Sequence, residues 1–401
     1  MTEKNDKSDT LKVRTQAEIE QIADQCRSEG RFAFDTEFVM EDRYQPEACL
    51  LQVATRKSVY LIDPFLDLDV GPIWRLVPDP QVEVVVHAGQ EDLALSVQHT
   101  GQAPQNIFDV QVVAGFVGYD YPISLQKLVQ ATMHIRLHKS KTLTDWRKRP
   151  LTKAQLRYAA EDVLHLLDIY RILTKRLQKL SRTEWAREEL RRFEQIELYE
   201  RAEDDRLFRI KGTGAMDGRK LAVVRDILTW REGLAKKYNR PIRIVLKDHL
   251  IAEIARHEMA GYQEIRDLRG LNLKDTEVRE LANVVRIAVE SSPDQYPTPK
   301  PRERETPREA VLAALVTSVI RSYCLESQLA YSLVATQKSI KDLIRHRASR
   351  KNGRPASIDL LMGWRGETVG AMVDDLLAGR TTVRVEPAPD GLAVHVDRNM
   401  P

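Results

Sequence analysis

Two carboxylates interrupt the apolar run Phe32-Ala33-Phe34-Asp35-Thr36-Glu37-Phe38, and this stretch limits the fold more than any other. In a strand, side chains two apart share a face, so Asp35 and Glu37 stand side by side while Phe34, Thr36 and Phe38 face the other way. Two carboxylates on one face repel. That repulsion is relieved if one is protonated, if both reach open solvent, or if a cation sits between them. The flanking phenylalanines argue against open solvent, and the oxygen-only donor set suits a hard divalent ion such as Mg2+ or Mn2+.

The surrounding pattern places this strand in a sheet. A helix is expected over residues 15–28, after a polar lead, followed by strand-like runs at 31–39, 48–54 and 59–62 with hairpin-length connections. Beyond them the chain alternates strand and helix: Val82–Val86 a strand, Glu91–His99 a helix, Ile107-Phe108 a short strand and Gln111–Val117 a helix. A three-stranded meander followed by βα units is a ribonuclease-H-like arrangement, a mixed sheet flanked by helices.

Three further stretches carry groups suited to chemistry. Asp92 lies in His87-Ala88-Gly89-Gln90-Glu91-Asp92, where a strand gives way to a helix. It either reaches toward the acidic pair or complements the helix dipole. Asp109 ends a short strand and reads either as support for a metal ligand or as a cap of the next helix, with the cap favoured. On a long amphipathic helix over Gln155–Leu180, Tyr158 and Asp162 are one turn apart on a face bordering the apolar stripe. The stretch from Leu137 to Leu151 mixes Lys139, Lys141, Arg147, Lys148 and Arg149 with Trp146. That mixture suits phosphate contacts beside a stacked base, or a solvated loop anchored by the tryptophan.

Composition narrows the classes. With 401 residues, 42% hydrophobic and 30% charged, the chain is expected to form two or three globular domains. No run approaches the ~20 apolar residues of a membrane span, and the polar start lacks the apolar core of a signal peptide, so a cytoplasmic protein is expected. Cys26, Cys49 and Cys324 have no metal-ligand spacing and read as reduced thiols. A net charge of +3 predicts no partner by itself.

Taken together, Phe34-Asp35-Thr36-Glu37-Phe38, the stretch from His87 to Asp92, Lys139-Ser140 with Asp145-Trp146 and Arg149-Pro150-Leu151, and Tyr158-Ala159-Ala160-Glu161-Asp162-Val163 resemble the exonuclease motifs of the ribonuclease D family. That family belongs to the tyrosine subclass of DEDD exonucleases. The segment from Arg219 to about Glu290 resembles an HRDC domain, and the C-terminal helices are similar to a second unit of that kind. The resemblance implies residues 1–206 as the nuclease domain, 207–290 as an HRDC domain, 291–308 as a proline-rich charged linker and 309–401 as an all-α HRDC-like domain.

The resemblance also implies a 3′–5′ exoribonuclease releasing nucleoside 5′-monophosphates, with tRNA precursors as substrate; the sequence leaves the oligomeric state open, a monomer being favoured. Asp35 would bridge two ions, Glu37 and Asp162 would complete the nucleophile side, Asp92 would serve the leaving-group side, and Tyr158 would orient the attacking water. Lys139, Trp146, Arg149, Arg347, Arg350 and Lys351 are expected to contact RNA, the last three within the basic run from Arg345 to Arg354. A DNA exonuclease and a catalytically silent nucleic-acid-binding protein are the competing readings.

Overall fold

The computed structural model describes residues 9–137, 144–200, 203–299, 305–349, 358–388 and 391–398, so the expected contacts Lys139, Arg350 and Lys351 lie outside the described residues. Thr15 caps the first helix, Gln16–Glu29, through a capping box with Glu18, and Gly30 ends it in the left-handed region. The chain then enters β2 (Arg31–Val39), preceded by the edge strand β1 (Asp9–Lys12) and followed by β3 (Glu47–Ala54) and β4 (Ser58–Ile62). β5 (Glu83–Val86) and β6 (Ile107–Asp109) complete a six-stranded sheet of order β1-β4-β3-β2-β5-β6.

The sheet is mixed. β3 and β4 are antiparallel, β1 runs parallel to β4, and β5 lies parallel to both β2 and β6. β2 is central and its Phe32, Ala33 and Phe34 are buried, so the strand bearing Asp35 and Glu37 is fixed by packing on either side of the sheet. β1 falls in the segment expected to be a polar lead. It gains its place from backbone pairing with β4, extended by the Val13 N–H bond to Leu61 O at 3.1 Å.

The helix expected over 155–180 is two helices, Lys153–Leu164 and Leu166–Lys179. His165 turns its N–H to Val163 O and so breaks the ladder between them. The first buries Ala159, Ala160 and Val163, the second Leu166, Ile169, Leu173 and Leu177.

Backbone contacts divide the chain into two compact units. One comprises residues 1–36, 50–196 and 305–401, the other 37–49 and 197–304; the border falls within the continuous strand β2. In the second unit the helices Gly218–Tyr238, Asp248–His257 and Asp275–Glu290 share a core that includes Val224, Ile227, Ile251, Ile254, Val278 and Leu281.

Within the first unit, residues 305–398 add the helices Pro307–Glu326 and Gln337–Ala348 and a hairpin of β7 (Thr381–Ala388) and β8 (Gly391–Arg398). Only helix was expected there. Apolar residues at helical spacing over 326–335 suggest a further helix there, but only one turn forms, Tyr331–Val334, because Gln328 adopts φ 53 and Arg182 draws off two carbonyls. Its guanidinium donates to Ser327 O, to Gln328 O at 3.1 Å and to Phe116 O at 2.7 Å. No helix among the described residues is long and apolar enough to cross a membrane.

Candidate active site

Alternation along β2 buries Phe34 and Thr36 and leaves Asp35 and Glu37 half-buried, as their spacing requires. The helix Lys153–Leu164 supplies the third carboxylate. Thr152 caps that helix in a box with Gln155, which sets where the chain turns helical and therefore which face holds Tyr158 and Asp162. Ligand oxygens of Asp35, Glu37 and Asp162 all lie within 4.8 Å of one another. Three carboxylates so close carry a charge that a divalent cation neutralises, and oxygen-only donors favour a hard ion.

Asp92 approaches from the first turn of the helix Gln90–Thr100. It is 6% exposed, and the Thr36 hydroxyl donates to its Oδ1. Burial pushes its carboxyl up to about 7, against the hydrogen bonds from Thr36 that favour the charged form. Asp162 is likewise pushed up to about 7 by burial, with Glu161 and Asp92 adding like charge; the Tyr158 hydroxyl donates to it and opposes the shift.

The expected RNA contacts divide differently. Trp146 is 8% exposed, with its ring 6.2 Å from that of Tyr158. Arg149 makes a two-point pair with Asp63, Nε to Oδ2 at 2.5 Å and Nη2 to Oδ1 at 2.7 Å, and lies over the Phe65 ring. Arg347 makes a two-point pair with Asp374, and Arg345 pairs with Glu309 at 2.7 Å. The structure thus brings Asp35, Glu37, Asp92, Tyr158 and Asp162 together, and pairs Arg149 with Asp63 and Arg347 with Asp374.

Thr36 was not singled out from the sequence, although a hydroxyl between two carboxylates in D-T-E was visible there. Asp109 serves as the expected cap, accepting from Gln111 N at 2.8 Å. His87 is a structural neighbour, its Nε2 2.9 Å from Ile123 O.

Residues 11–178 match the family described as 3′-5′ exonuclease, and residues 220–280 match the HRDC domain. The chain is 31% identical over 359 residues to ribonuclease D of Bartonella henselae, covering 88% of this chain and 86% of that one. It is 30% identical over 382 residues to ribonuclease D of Gluconacetobacter diazotrophicus, covering 94% and 95%. Among solved structures it resembles Escherichia coli RNase D, described as an exoribonuclease involved in structured RNA processing. That likeness has a TM-score of 0.78 at 26% identity and covers 93% of this chain and 99% of that one.

Proposed function

The chain belongs to the ribonuclease D family and is a 3′–5′ exoribonuclease; from that premise we propose that Asp35, Glu37, Asp92 and Asp162 hold two divalent cations, Mg2+ or Mn2+, and that the RNA trimmed is a tRNA precursor. The observation that carries the cation reading is the three-carboxylate cluster within 4.8 Å, beside a fourth carboxylate that burial drives toward neutrality. Divalent cations held there would neutralise the scissile phosphate and lower the pKa of the attacking water.

The chain's own groups do the rest. Tyr158 donates to Asp162 in this structure and would turn the same hydroxyl to orient the water, which needs no backbone movement because helix spacing already sets its place. Thr36 holds Asp92 through its hydroxyl, so that this carboxylate meets the leaving-group side in one rotamer. Trp146 packs at a tilt beside the ring of Tyr158. Water adds to phosphorus as the bond from phosphorus to O3′ breaks. The shortened RNA keeps a 3′ hydroxyl, and the released nucleotide keeps the 5′ phosphate.

End-labelled RNA and DNA of one sequence, incubated with Mg2+, Mn2+ or EDTA, test this reading. RNA should shorten stepwise from its 3′ end with either ion and remain intact in EDTA. Equal or faster loss of the DNA would favour the DNA-exonuclease reading, and turnover in EDTA would end the cation assignment. Comparing a tRNA with a 3′ extension against an unstructured RNA of equal length tests the substrate.

A further inference from the structure

The turn that delivers Asp92 is held by a carboxylate from another strand. β5 ends at Val86, and Asp109, the last residue of β6, lies opposite it in parallel register. Asp109 is 1% exposed, and its two oxygens accept three backbone N–H groups: Gln111 at 2.8 Å, Ala88 at 3.1 Å and Gly89 at 3.2 Å. The first is the ordinary work of a cap on the helix Val110–Gly115. The other two belong to the turn between β5 and the helix Gln90–Thr100.

That turn needs holding. Ala88 sits at φ 55, a left-handed conformation that a residue with a Cβ adopts at a cost. A Cβ on Gly89 would lie 2.5 Å from the Cβ of Val86, so the backbone doubles back hard against the strand end. Gly89 starts its helix with no side-chain hydrogen bond, and Asp109 supplies the acceptor from across the sheet. Gln111 Nε2 donates to Ile123 O at 2.9 Å, the same carbonyl that His87 Nε2 meets. These bonds tie His87, just before the turn, and Gln111, beside Asp109, to one carbonyl. Asp92 follows Gly89 by three residues.

Capping alone does not account for a carboxylate here. Asparagine and serine cap as well as aspartate, and neither carries the cost of burying a charged group. We infer that Asp109 is a positioning residue of the nuclease: by fixing the Ala88-Gly89 turn it sets where Asp92 stands against Thr36 and the acidic cluster. The inference rests on the cation reading of that cluster.

Asp109→Asn separates the two roles. Its oxygen can still accept from Gln111 and Ala88, so the cap survives, but its NH2 then faces the Gly89 N–H donor to donor. Mn2+ binding to the full chain, read by calorimetry or electron paramagnetic resonance, should weaken by about 10- to 100-fold, the usual loss when a group supporting a metal ligand is removed. Turnover should fall with it while KM for RNA changes little. In an Asp92→Asn background, adding Asp109→Asn should cost no further Mn2+ affinity, because Asp109 acts through Asp92.

A folded Asp109→Asn protein with the wild-type Mn2+ isotherm would make Asp109 a cap only, and a further loss in the Asp92→Asn background would equally overturn the inference. If Asp109→Asn does not fold, Ala88→Gly relieves the left-handed residue, and Asp109→Asn with Ala88→Gly is compared with Ala88→Gly alone by the same isotherm. Wild-type protein is run throughout: if it binds no Mn2+, the cation reading itself has failed, and this inference falls with it.

Discussion

Glu232 in the helical unit and Asp162 beside the sheet are both carboxylates shielded from water, yet they are shifted in opposite directions. Burial alone would push Glu232 up, but the Tyr44 hydroxyl at 2.5 Å, Arg206 and Lys236 outweigh it and hold its carboxyl below the ordinary value. For Asp162 and Asp92, burial wins, because the opposing groups are neutral hydroxyls and backbone N–H groups and the nearby charges are other carboxylates. A carboxylate supplied with cations by its own chain serves the fold. One that is buried among hydroxyls and other acids has its charge reserved for a partner from outside, which is the signature of a functional site.

The harshest test of that contrast is Asp35→Asn. It strips the charge and one oxygen from one of three clustered carboxylates and should cost more turnover than the roughly 10²- to 10⁴-fold typical of losing a general acid or base. The apo protein should melt no lower than wild type, since repulsion falls with the charge. Turnover within tenfold of wild type, with Mn2+ present, would break the comparison on the catalytic side.

Tyr158→Phe comes next. It keeps the ring against Trp146 and deletes only the hydroxyl that Asp162 accepts. Turnover should fall by about 10²-fold or more while Mn2+ and RNA binding hold. An unchanged rate would leave Tyr158 as packing beside Trp146.

Legibility followed the range of the interactions. Alternation in Phe32–Phe38 and the one-turn spacing of Tyr158 and Asp162 are local, so the faces they occupy follow from their own segments. Asp92 was legible because strand ends in such sheets are where reactive groups collect. The pairing of Arg149 with Asp63 was not, because the two lie 86 residues apart and no local pattern announces the pair. The same holds for Arg182, which takes carbonyls 145 and 146 residues further on and so ends a helix that periodicity alone would continue. β1 shows the limit from the other side: four residues of ambiguous pattern become a strand only because the edge of β4 is there to pair with.

Proton linkage sharpens the contrast without any substitution. Asp92 and Asp162 titrate near 7 in the folded chain, against about 3.9 for a free aspartate, so folding favours their protonated forms. Their stabilisation is therefore complete below about pH 4 and is lost as pH rises through 7. Metal-free protein should melt lower at pH 8 than at pH 5, and the loss should shrink in Asp162→Asn. Mn2+ binds the charged forms, so its stabilising effect should be larger at pH 8, about 2.7 kcal/mol at a hundred times its Kd. A metal-free melting temperature that is flat or rising from pH 5 to 8, and identical in Asp162→Asn, would mean that burial does not govern these groups.

On the structural side, Glu232→Gln removes the charge that Arg206 and Lys236 meet and weakens the bond from Tyr44. Losing a charged acceptor with several partners should cost about 1–3 kcal/mol in chemical denaturation. Hydrolysis of a short single-stranded oligonucleotide should stay at the wild-type rate. If turnover falls while stability holds, Glu232 belongs to function, and a lowered pKa no longer separates the two kinds of site.

Arg347 should give the smallest effect and tests the same rule with a cation. The sequence suggested a phosphate contact, yet its guanidinium meets both oxygens of Asp374, with side-chain exposures of 36% and 17%. A cation already paired within its chain must give up that pair to meet RNA, so the rule assigns Arg347 to the fold. Arg347→Gln should therefore cost about 0–1 kcal/mol, as partly exposed pairs do, and leave RNA affinity and its salt dependence unchanged. A phosphate contact would behave otherwise. Its removal would lower the slope of log affinity against log salt by roughly 0.7 for single-stranded RNA, whatever its sequence. The two outcomes separate in one titration series from 50 to 200 mM salt: a slope reduced by that amount would show that an internal partner does not keep a charged group from its substrate.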